Sequence, residues 1–261
     1  MQRAAQPLGV EPGEVLGQYY QTLLLQFGPQ GWWPARTRLE VILGAVLTQN
    51  TSWRNVTVAI RRLRQAGFLR WRQLRTGSRT QLEACIRPAG YFRQKARTIQ
   101  TFVAWLESVH RGSLKALFAQ PPQLLRDQLL KLRGLGPETV DAILLYAGKQ
   151  PFFVADAYTR RVLARHALIS PQDGYSATQQ FLHRHLPADE AVYNEFHALL
   201  VETGKRYCRR QAPQCENCPL QNFLPSGQRR GHLHRIKEFK PQHRLRPAPR
   251  SEARIRTYGY E

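Results

Sequence analysis

Residues 132–156, LRGLGPETVDAILLYAGKQPFFVAD, constrain this chain more tightly than any other stretch of it. Two glycines flank a single leucine and a proline follows at once. One helix must therefore end near Leu132 and another begin at Pro137. Glycine adopts backbone dihedrals closed to other residues and lets a ligand come close to the main chain. Proline suits the first turn of a helix, where its missing N–H costs nothing. Leu135 reads as an apolar plug beneath the turn. Unpaired N–H groups at a helix start, with the helix dipole behind them, attract an anion. A DNA phosphate fits that description, and so does an ordinary tight turn between helices. Past the second helix, the run Phe152-Phe153-Val154 is compatible with a strand or a connector, and it delivers one carboxylate, Asp156.

Most of the chain up to about residue 222 has helical periodicity, with apolar residues three and four apart in 39–47, 56–68, 99–106, 124–132 and 140–147. Breakers fall between these runs: Gly28-Pro29, Gly67, Pro88 to Gly90, Pro121-Pro122 and Pro171 to Gly174. No stretch sustains the alternation of a strand, so an all-α fold is expected. No apolar run approaches the roughly 20 residues that span a bilayer, and the first residues, MQRAAQPLGVEPGEV, contain no apolar core of an export signal. A cytoplasmic, nucleoid-associated protein without a membrane partner is expected.

The net charge of +21 calls for a polyanionic partner or a basic tail that inflates the total. Both are in view. Residues 223–261 are rich in Arg, Pro and His with no helical period, as in a disordered arm, and such an arm adds phosphate contacts that salt weakens. Double-stranded DNA is the expected partner of a monomeric chain.

With its hairpin and the following aspartate in Val154-Ala155-Asp156-Ala157-Tyr158, the chain resembles the endonuclease III superfamily of DNA glycosylases, the helix-hairpin-helix family with a Gly/Pro-rich loop and a following Asp. The likeness covers roughly residues 20–222. It implies two helical domains with the active site in the cleft between them. One is a six-helix domain over 36–150 carrying the hairpin at about 122–147. The other joins 14–35 to 151–222 and holds Asp156 and the cysteine loop.

Within that family the residue at 138 decides the reaction. A lysine there attacks the sugar, forms a Schiff base and cleaves the strand. This chain has Glu138, which forms no imine. The resemblance thus implies base removal without strand cleavage. Glu138 also suits a helix start on electrostatic grounds. Asp156 is the expected catalytic group. Breaking an N-glycosidic bond builds positive charge on the sugar, and a carboxylate can stabilise that charge and orient or deprotonate water. Asp156 can also serve as a helix N-cap, and the two roles are compatible.

A duplex base must leave the stack before its bond can be reached. Gln49, in Leu47-Thr48-Gln49-Asn50-Thr51, stands where the family carries a wedge glutamine, and Tyr91 stands where it carries a second wedge. A helix C-terminus and a core aromatic are the plain alternatives. Gly134, Leu135, Gly136 and Thr139 are the expected hairpin contacts to DNA. The segments GWWP, LGAVLTQNT and ACIRPAGYFRQKA, together with Glu138, resemble the 3-methyladenine glycosylase III branch. Trp32, Trp33, Pro34 and Trp53 then line a base pocket, with Lys205 as a further candidate or a phosphate-binding lysine. Alkylated purines are the implied substrate. Pyrimidine lesions or mismatches, or DNA binding without catalysis, are the rivals on the same scaffold.

Cys208, Cys215 and Cys218 cluster as metal ligands do, not as a disulfide framework. Many relatives bind a [4Fe–4S] cluster through C-x6-C-x2-C-x5-C. Here the first two spacings are kept and the fourth position is Leu224. A cluster with a substituted ligand, a zinc site using His232 or His234, and a loop held by packing all remain open. Cys85, distant from the others in sequence, reads as a buried apolar residue.

Overall fold

A computed structural model describes residues 11–225. The basic tail beyond 225, with His232 and His234, lies outside the described residues. Among those described there is no strand, and no helix is long and apolar enough to cross a membrane.

The chain divides into two compact units, residues 11–32 with 151–225 and residues 33–150. Helix α1 (Pro12–Phe27) opens the first unit. The second holds α2 (Arg38–Leu47), α3 (Trp53–Gln65), α4 (Trp71–Thr76), α5 (Arg79–Ile86), α6 (Phe92–His110), α7 (Leu114–Phe118), α8 (Pro122–Leu130) and α9 (Pro137–Ala142). The chain then returns to the first unit with α10 (Ala157–Arg165), α11 (Tyr175–His185) and α12 (Glu190–Arg206). The second unit thus carries eight α-helices where six were expected; α7 is the shortest at five residues, and α4 and α9 have six each.

Side-chain caps start several helices. Thr37, Ser52, Ser113, Asp156 and Asp189 each accept a main-chain N–H from the first turn beyond them, which satisfies a donor the helix leaves unpaired. Helix α2 is buried along its whole length from Leu39 to Leu47 and is the central rod of its unit. Its buried carboxylate, Glu40, is matched by Arg64 of α3 at 2.5 Å.

Two features of the hairpin were not visible in the sequence. Arg126 of α8 donates two hydrogen bonds to Asp141 of α9, at 2.6 and 3.0 Å. The Asp141 side chain is fully buried. This fork joins the helices on either side of the turn. Beyond α9 the chain widens into a π turn, Ile143–Ala147, in which the Gly148 N–H reaches back to Ile143.

The run 152–154 is a connector. The Phe153 N–H donates to His183 Nε2 at 2.9 Å and its carbonyl accepts from Gln179 Nε2 at 2.7 Å. Two side chains of α11 thus take the place of a neighbouring strand and satisfy buried main-chain groups.

Candidate active site

The hairpin turn has one glycine that the backbone requires. Gly134 has φ +93°, and a Cβ there would lie 2.0 Å from Thr98 Oγ1 on α6. Gly136 is different: φ −88°, ψ 171° is ordinary extended backbone. The expectation that both glycines adopt dihedrals closed to other residues is corrected for Gly136. No atom lies within 4 Å of a Cβ placed there, so its smallness leaves room above the start of α9. Gly134→Ala is expected to cost about 1–3 kcal/mol through strain. Gly136→Ala is expected to stay within about 0.5 kcal/mol. Urea unfolding of the two variants separates them.

Leu135 is buried beneath the turn, as expected of a plug. Thr139 is buried and its hydroxyl accepts a hydrogen bond from Gln49 Nε2 at 2.9 Å. The same amide donates to the Gly134 carbonyl at 2.9 Å. Gln49 thereby fastens the end of α2 to the hairpin. Glu138 is exposed in the first turn of α9.

Tyr91 is no core aromatic. Its side chain is 68% exposed, on a residue in the left-handed region at φ 46° that directly precedes α6. Trp33 packs edge-on against Trp53 at 5.1 Å between ring centroids, and at a tilt against Tyr146 at 5.2 Å. Gly44 of α2 makes the space: a Cβ there would stand 3.0 Å from the Trp33 ring. Pro34 is exposed beside this cluster in sequence.

Trp32 belongs to the other unit, and its loop is pinned there. The Gln30 N–H donates to Glu195 Oε1 at 2.6 Å. Burial raises the Glu195 pKa, and the N–H groups of Gln30 and Gly31 oppose that rise. Lys205 is half-buried near the end of α12.

Asp156 caps α10. Its Oδ1 accepts the Thr159 N–H at 2.8 Å, and its Oδ2 lies 3.6 Å from His197 Nε2 on α12. The Asp156 side chain is 14% exposed. Burial works against its ionisation, but His197 and Thr159 outweigh it and hold the carboxyl below its ordinary range. The arrangement suits an ionised carboxylate on a rigid helix end. His197, at the edge of the Phe153 ring, was not singled out in the sequence, since one histidine on an apolar helix gives no signal of its partner.

Cys208, Cys215 and Cys218 line one small cavity together with Leu224. Leu224 is buried, so a hydrocarbon occupies the wall where a fourth thiolate would be needed. Arg165 Nη1 donates to Cys208 Sγ at 2.9 Å. Burial raises both Cys208 and Cys218, the latter to about 11, and Arg165 partly offsets this at Cys208. Among the described residues no group of His, Cys, Asp and Glu is arranged to hold a metal ion. A four-thiolate cluster does not fit this donor set. Cys85 stands apart in α5 and is only half-buried, which corrects the expectation of a buried residue.

The family model for HhH-GPD superfamily base excision DNA repair proteins matches residues 43–188. The "Putative DNA repair glycosylase" of Methanocaldococcus jannaschii is 39% identical over 214 residues, covering 82% of this chain and 97% of that protein. In fold, the chain resembles a trapped endonuclease III–DNA covalent intermediate, with TM-score 0.71 and 24% identity over 84% of this chain and 98% of the other. It also resembles the 3-methyladenine DNA glycosylase (MagIII) of H. pylori bound to 1,N6-ethenoadenine, with TM-score 0.66 and 26% identity over 76% and 98%.

Proposed function

Because the chain belongs to the HhH-GPD superfamily of base excision DNA repair proteins, we propose that this DNA N-glycosylase removes alkylated purines such as 3-methyladenine from double-stranded DNA by hydrolysis, leaving the strand uncut. The observation that carries the reading is Glu138 in the first turn of α9. In the resembled family, members that also cut the strand carry a lysine there, whose amine attacks the sugar. A carboxylate cannot form the imine, so water is the nucleophile.

The hairpin takes a phosphate at Gly134 to Thr139, and Gln49 and Tyr91 fill the space left by the extruded nucleotide. Water adds to C1′ as the glycosidic electron pair leaves with the base. Asp156 stabilises the positive charge that develops on the sugar and accepts the proton of that water. Its depressed pKa keeps it ready for this role.

Trp33 and Trp53 support the substrate class. Alkylation at N3 or N7 makes a purine cationic and a good leaving group. An electron-rich aromatic wall favours the cation by about 0.5–2 kcal/mol. That is modest discrimination, and the weak bond of the damaged nucleotide supplies the remainder. The likeness to the H. pylori enzyme supports the same substrate class. No step uses a metal, and the three-cysteine loop is read as packing.

Duplexes carrying single lesions test this. Alkali-labile abasic sites are expected at 3-methyladenine, with no DNA–protein adduct after borohydride reduction. Release of uracil or oxidised pyrimidines but not 3-methyladenine would move the chain to the rival specificity. A borohydride-trapped adduct would overturn the hydrolytic mechanism.

A further inference from the structure

Lys95, in the first turn of α6, is 2% exposed. Its ammonium donates to the carbonyl of Leu47 at 2.9 Å and to that of Ala89 at 2.8 Å. Burial lowers its pKa from 10.5 to about 8. A charge in such a place is costly even when hydrogen-bonded. Methionine, unbranched and adaptable, would fill the space without that cost. Packing alone does not explain a lysine here.

The two acceptors do explain it. Leu47 is the last residue of α2 and Ala89 ends the short 3-10 turn Arg87–Ala89. Carbonyls at helical C-termini lack partners of their own and lie at the negative end of the dipole, where a cation is favoured. Two residues beyond Leu47 is Gln49; two beyond Ala89 is Tyr91. Both turns hold left-handed backbone, at Asn50 (φ 51°) and at Gly90 and Tyr91 (φ 66° and 46°). Asparagine visits this region readily, but a bulky residue such as Tyr91 persists there only where surrounding contacts enforce it.

We propose that Lys95 is a positioning residue that ties the Gln49 turn to the Tyr91 turn, so that the two side chains enter the duplex as one wedge. This rests on the reading of Gln49 and Tyr91 given above. A compact ammonium with three donors spans two carbonyls from one point. Glutamine offers donors without charge, and methionine offers neither.

Lys95→Met and Lys95→Gln test the tie in a duplex with 2-aminopurine, which brightens when unstacked, opposite an inert tetrahydrofuran abasic analogue. Phosphate contacts dominate affinity, so binding should stay within about three-fold of the parent. The 2-aminopurine signal should be largely lost with Lys95→Met and partly kept with Lys95→Gln. Release of 3-methyladenine from a paired site should fall about 100-fold. Release from a bulged, already unstacked site should change by no more than about three-fold. Equal brightening by parent and variants overturns the proposal, as does an equal loss of release at paired and bulged sites. Should the parent release no base at all, the glycosylase reading fails by itself, and the fluorescence comparison still decides the wedge. Thermal unfolding monitors the fold, and Lys95→Gln carries the test where Lys95→Met does not fold.

Discussion

Asp156→Asn is expected to bind a lesion duplex as the parent does and to release the base about 10²–10⁴ times more slowly, the range over which positioned acid–base groups act. Single-turnover release measured beside equilibrium binding reads both numbers. Asparagine is the right replacement because it is as good an N-cap as aspartate. It keeps the bond from Thr159 at the start of α10, so a loss of activity cannot be laid to a frayed helix. Alanine would confound the two. Unchanged release by Asp156→Asn would remove Asp156 from the chemistry.

The same carboxylate predicts a pH dependence. Its folded pKa lies below the ordinary value of 3.8. Its contribution to stability is therefore complete above that value and is lost as pH falls through the lower folded pKa. Base release by the parent should accordingly show no acid limb from Asp156 between about pH 4 and 6.

Asp141→Ala is expected to cost about 3–5 kcal/mol of unfolding free energy, read by urea titration, because it leaves the Arg126 guanidinium without its buried counter-charge. The Arg126 side chain is only 17% exposed, so water compensates it poorly. DNA affinity should fall as well, since the fork spans the hairpin that is proposed to hold the phosphate. A double variant, Arg126→Met with Asp141→Leu, should recover most of the stability, because apolar residues of similar volume often replace a buried pair without loss. A single variant that costs less than about 1 kcal/mol, the scale of an exposed pair, would show that the fork does not clamp the hairpin.

The helices could be read from apolar spacing, and the turn from Gly134 and Pro137, because these signals are local: one residue type at one offset fixes one backbone state. Asp156 was legible as a cap for the same reason. What escaped is what depends on distant segments meeting. Arg126 and Asp141 are fifteen residues apart, a separation that no helical or strand period singles out. Lys95 looks like any basic residue beside Arg93 and Arg97 until α2 and the 3-10 turn present their carbonyls to it. His197 and Glu195 lie on a helix whose stretch Val192–Leu200 is wholly buried, and only the fold says which loop each one meets. Gly136 shows the opposite error, since the residue type suggested a special dihedral that the chain does not adopt.

The π turn at Ile143–Ala147 sets which face the end of this helix presents to its neighbours. It adds one residue to the helical circuit, and the side chains beyond it are rotated by about 100°, the angle of a single α-helical step. Tyr146, within it, thereby meets Trp33.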